Sequence, residues 1–170
     1  MCIRDRDSLA LLSKGKDSVF TKKNVRQDDG TVKSEYDTDA IYKAVSKFVK
    51  DYNSTIESAA SSEDSSVLSS TASMVKATKA NSNLLADVGI SIGSDNKLTI
   101  DEKAFKSANM TDVKSIFNGT GSYAYGIASS SSNIYNKSVS QLANLNGYSY
   151  TSTGSYSSYQ YTGSLYSQYK

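Results

Sequence analysis

The sequence predicts a mainly α protein: an elongated helical bundle with coiled-coil-like helices, one small β-hairpin and a disordered Tyr/Ser-rich tail. Three observations predict it. Ile41, Val45, Phe48, Val49, Tyr52 and Ile56 recur at steps of 4, 3, 1, 3 and 4, which lines one face of a helix. The period then changes to two in "GISIGSDNKLTID" (89–101), where Ile90, Ile92, Leu98 and Ile100 flank a "GSDN" turn and share one face of a hairpin. From 146 onward seven tyrosines lie among Ser, Thr, Gly and Gln with no charge before Lys170, and so few aliphatic side chains cannot offset chain entropy.

Taken in order, the elements begin with a stretch that fits nothing after it. "MCIRDR" holds the only Cys and two of the three Arg. Met1 to Asp5 match, codon for codon, the translation of the mosaic-end adapter ATGTGTATAAGAGACAG of transposase-made sequencing libraries, with Arg6 across the junction. Residues 1–6 therefore read as a sequencing-adapter artefact, against the alternative of a native start that matches by chance. The expectation is that the chain is a fragment of a longer reading frame. Residues 7–20, with Leu9, Leu12, Val19 and Phe20, read as a short helix. Residues 21–36 are polar about a turn at Asp29-Gly30, and a loose hairpin or a plain linker both fit.

Helical signals dominate from there. Asp37 suits an N-cap and Asp39 the positive end of the dipole of a helix over 38–60. "SSEDSS" (61–66) ends that helix and caps a weaker one over 66–88, expected to lie antiparallel to the first. After the hairpin, Asp101 caps a short helix over 102–109. Thr111 caps another over 112–117, closed by Asn118-Gly119. A last helix over 122–145 carries Ile127, Ser131, Ile134, Ser138, Leu142 and Leu145 on one half-apolar face.

Composition excludes several functions. With residues 1–6 set aside, Lys+Arg falls from 19 to 17, Asp+Glu from 17 to 16 and the net charge from +2 to +1. A near-neutral chain makes no electrostatic case for nucleic acid or an anionic membrane, and no run is long and apolar enough for a membrane span. There is no His, Pro or Trp, so Ser-His-Asp and Cys-His sites cannot be built from these residues. The glycines at 119, 121 and 126 follow no strand and make no dinucleotide loop. The acidic pairs Asp28-Asp29, Glu63-Asp64 and Asp101-Glu102 read as solvated or capping groups. "SDNKLTIDE" imitates half of a calcium loop, but Ser91, Gly93 and Asn96 fall where carboxylates and the turn glycine are needed. No catalytic residue, cofactor or metal ligand set is identifiable.

Three motifs carry a resemblance: "FVKDYN" (48–53), "LLADVGISIGSDNKLTID" (84–101) and "VKSIFNGTG" (113–121). Their order and spacing resemble the C-terminal region of the bacterial flagellar filament cap protein, the hook-associated protein 2 family, over about residues 39–140. The resemblance divides the chain into a truncated helix and linker (7–36), a cap-like helical domain (37–146) and the low-complexity tail (147–170).

That resemblance implies a non-enzymatic structural role outside the cell, at the flagellum tip or cell surface. It implies self-association and contacts with flagellin or other hook-associated proteins, and, in some members, with host glycans. The alternative is an orphan secreted or cell-surface adhesin built on the same domain. The chain departs from the family where a charged, heptad-patterned helical region is expected after the last helix, and the family's N-terminal half is missing. Candidate core or subunit-interface residues are Ile41, Val45, Phe48, Val49, Tyr52, Ile56, Ile127, Ile134 and Leu142. Because the partner helices are half polar, part of the 41–56 stripe is expected to stay exposed as an interface.

Overall fold

The computed structural model describes residues 18–26, 30–145, 148–150 and 156–158. The chain is mainly helical, with three two-stranded antiparallel ribbons among the described residues. The elements are β1 (Lys23–Arg26), β2 (Val32–Glu35), α1 (Thr38–Ala60), α2 (Ser65–Ala80), α3 (Ser82–Asp87), β3 (Ile90–Ile92), β4 (Leu98–Ile100), α4 (Glu102–Ser107), α5 (Met110–Phe117), α6 (Tyr123–Leu145), β5 (Tyr148–Tyr150) and β6 (Tyr156–Ser158).

Local chemistry starts most of the helices. The Asp37 carboxylate accepts from the Ala40 N–H at 2.9 Å, and Asp64 accepts from the N–H groups of Ser66 and Val67. Asp101 accepts from Ala104 N–H at 2.7 Å. These satisfy donors that no helical carbonyl can reach. Lys23 Nζ, 2.8 Å from Asp37 Oδ2, ties β1 to the same helix start. The lysine and then the Ala40 N–H hold the Asp37 carboxyl below its ordinary range.

Helix α1 is the spine. Its six stripe residues are all buried within the single chain, together with Ala44, Thr55 and Ala59. This corrects the expectation of a partly exposed stripe. Its cover comes from β4 and α4 as well as from α2 and α6, and Phe117 of α5 meets Phe48.

The remaining corrections have physical causes. The expected helix 66–88 breaks at Asn81, which closes α2 and opens α3, and its amide donates to Ala77 O at 2.8 Å. Helix α2 packs more extensively on α6 than on α1. Its contacts with α6 run in opposite order, Ser70 with Lys137, Met74 with Ser131 and Thr78 with Tyr123, so those two helices are antiparallel. Small and hydroxyl side chains on both permit that approach. Asn109, rather than Thr111, caps α5 by accepting from the Thr111 N–H at 2.9 Å.

Ser18 to Phe20 form a turn closed by Thr21 N–H on Ser18 O at 3.0 Å, so the expected helix over 7–20 does not include them. Residues 7–17 and the adapter-like 1–6 lie outside the described residues.

The expected single hairpin, β3–β4, pairs Ile90 with Ile100 and Ile92 with Leu98. Asn96 takes a left-handed φ of 63° in its turn, a conformation asparagine tolerates. Ile90 and Leu98 are buried, whereas Ile92 and Ile100 are half-buried. Two further ribbons correct the count of one. β1 pairs with β2 as the hairpin alternative for residues 21–36, and every residue of it is exposed.

Within the tail, Tyr148–Tyr150 pair with Tyr156–Ser158 as a short ribbon, and tyrosine favours extended backbone. The other tail residues lie outside the described set.

Candidate functional site

The three motifs that stand apart in sequence meet in space. Asn53, the last residue of "FVKDYN", reaches β4 across 45 positions. Its Nδ2 donates to Leu98 O at 2.9 Å, and its Oδ1 accepts from Leu98 N–H at 2.8 Å. The side-chain amide thus imitates a neighbouring strand and satisfies the outer edge of the hairpin. Glu57, one turn further along α1, holds Lys97 at 2.6 Å. At the other end of the same motif, Phe48 meets Phe117 of "VKSIFNGTG" edge-on, with ring centroids 5.5 Å apart. Tyr123 completes a three-ring cluster, 6.1 Å from Phe48 and 6.4 Å from Phe117.

Gly89 joins the second motif to α4. Its φ is +76°, and a Cβ there would stand 2.9 Å from both Ala104 Cβ and Phe105 N. Only glycine allows both the left-handed turn and that approach.

Two tyrosines lie beneath the junction, Tyr52 buried and Tyr123 half-buried. Thr78 Oγ1 donates to Met74 O at 3.1 Å and so accepts from Tyr123 OH, also at 3.1 Å. The Tyr52 hydroxyl approaches Thr78 but is buried without a partner of good geometry. Burial raises both phenols, and the nearby Thr78 hydroxyl only partly opposes this. No base or nucleophile faces them in these contacts.

The calcium-like "SDNKLTIDE" segment is a turn and a helix cap. Asp95 Oδ1 accepts from Lys97 N–H at 3.1 Å, Asp101 caps α4, and Glu102 pairs with Lys106 at 2.6 Å. Asp39 reaches the same lysine at 2.7 Å, and the two carboxylates raise its pKa. Among the described residues no group of His, Cys, Asp and Glu is placed to hold a metal ion. No described helix is long and apolar enough to cross a membrane.

An open hollow of about 500 Å³ lies between the Ser18–Lys22 turn, Tyr36 and the end of α5. Lys22 sits over the Tyr36 ring at 5.0 Å, and Asn118 Nδ2 donates to Ser18 Oγ at 3.0 Å. Among the described residues its lining has Lys22 and Lys114 and no carboxylate.

Of the candidate core or interface residues, Ile41, Val45, Phe48, Val49, Tyr52, Ile56, Ile127 and Ile134 are buried in the chain's own core. The side chain of Leu142 lies outside the described set. The large exposed apolar side chains are elsewhere: Val25 and Val32 on the first ribbon, Leu68, Leu84, and Tyr125, Tyr135 and Val139 on α6. The α6 group is not among the sequence-predicted residues, because the adjacent Ile127/Ile134 face is the more apolar of the two. Comparison with protein-family models, with curated proteins and with solved structures finds no match to this chain.

Proposed function

We propose that the chain is part of a non-enzymatic structural protein resembling the flagellar filament cap, one that assembles into an oligomer at the filament tip and assists flagellin assembly. The observation that carries this reading is the convergence of the three cap-like motifs. Each is weak as a pattern, yet Asn53 joins the first to the second and Phe48 joins the first to the third. A chance set of short patterns has no reason to form one packed unit. The lack of an acid–base or nucleophilic cluster in the described contacts suits a scaffold.

In this reading the long helices act as coiled-coil-like subunit elements, and flagellin and other hook-associated proteins are the neighbours. The second reading is an orphan secreted or surface adhesin with host glycans as partners. It is favoured by the uncharged Tyr/Ser tail where the cap family carries charged helix.

Immunogold labelling with antibody to residues 37–146 tests both. Label confined to filament tips, together with loss of filaments on gene deletion, supports the cap. Label over the cell body in a strain that lacks flagellin refutes it in favour of the adhesin.

A further inference from the structure

We propose that α6 pairs with α6 of a second copy of this chain, through a seam one step round the helix from its buried face. Ala124, Ile127, Ser131 and Ile134 point into the core. Beside them run Tyr125, Ala128, Ser132, Tyr135 and Val139, at steps of 3, 4, 3 and 4. Tyr125, Tyr135 and Val139 are 48%, 41% and 44% exposed, Ser132 is exposed and Ala128 is half-buried.

The repeat identifies the kind of partner. Steps of 3 and 4 average 3.5 residues, the spacing that keeps one helix facing another, and the small Ala128 and Ser132 leave the seam underfilled between its larger side chains. Charge then identifies which helix. About a quarter of residues are charged in an ordinary globular chain. Helix α6 has Lys137 alone among 23 residues, and that lysine is turned to Ser70 Oγ on α2 at 2.6 Å. Two copies of such a face meet without like-charge repulsion in either orientation. The other helical candidate of this chain, residues 7–17, would bring Asp7, Lys14, Lys16 and Asp17 against a face with nothing to pair them. The seam deepens the subunit role proposed above for the long helices and rests on that reading, while its own grounds are register, exposure and charge.

Sedimentation velocity of the full chain over a concentration series tests it. Reversible self-association is expected. Tyr135→Glu should raise the dissociation constant by roughly tenfold or more, because it sets a charge in an apolar seam. Ser132→Leu should lower it by a similar factor by filling a gap. Asn133→Glu, on the other side of α6, should leave it unchanged. All three positions are exposed, so thermal unfolding of the monomer should hold.

A chain that stays monomeric even as Ser132→Leu overturns the proposal. So does a monomer whose thermal midpoint falls with Tyr135→Glu, which would show the seam filled by residues 7–17 of the same chain. Oligomers insensitive to both substitutions also overturn it, while leaving the structural reading of the chain in place.

Discussion

Replacing Asn53 tests whether one side chain holds the hairpin to the spine. The three-residue strands of β3 and β4 are too short to be stable alone, so the hairpin depends on α1. Asn53 makes two hydrogen bonds to the Leu98 backbone, at 2.9 and 2.8 Å, in a half-buried setting. Asn53→Ala removes both and strands an N–H and a C=O. Each loss costs about 1–2 kcal/mol when water reaches the group poorly, so the pair should cost about 2–4 kcal/mol. For a chain of this length that lowers the thermal midpoint by roughly 5–15 °C.

Asn53→Asp separates the bonds from the packing. The carboxylate still accepts from Leu98 N–H but faces Leu98 O with no proton to donate. Protonation restores the donor, so the deficit of this variant should shrink as pH falls through the carboxyl range, while that of Asn53→Ala should not. Urea unfolding followed by circular dichroism at several pH values measures both. An Asn53→Ala midpoint equal to that of the parent, or identical pH profiles for the two variants, would refute the clamp.

Gly89→Ala should cost about 2–4 kcal/mol in urea unfolding, from the clash with Ala104 and Phe105 and the left-handed backbone. Phe48→Ala should cost about 3–5 kcal/mol, since the ring is 4% exposed at the centre of the aromatic cluster, and an unchanged midpoint would remove that cluster from the core. Stability should also fall in alkali. Tyr52 and Tyr123 are raised above the ordinary 10.0 by burial, so the unfolded chain ionises first. Their contribution is whole below that value and declines as pH rises above it. Tyr123→Phe should flatten the decline, and an unaltered slope of unfolding free energy against pH would contradict the assignment.

The sequence by itself determined what local chemistry controls. A 3.6-residue period marks α1 because side chains three and four apart share a face whatever lies opposite. Asp37, Asp64 and Asp101 cap helices because their carboxylates reach N–H groups two or three residues on. The β3–β4 register follows from alternation about a short turn.

What only the tertiary structure decided were choices among near-equal options. Helices α2 and α6 are rich in Ser and Thr and offer no dominant apolar face, so the partner selects which side is buried. α2 took α6 rather than α1 as its main neighbour. On α6 the Ile127/Ile134 face went inward as its spacing predicted, while only the structure left the adjacent Tyr125/Tyr135/Val139 stripe in water. The Asn53 clamp was beyond local reading too. A polar side chain on an otherwise apolar face looks like solvent contact until the chain returns, 45 residues later, to place a strand edge against it.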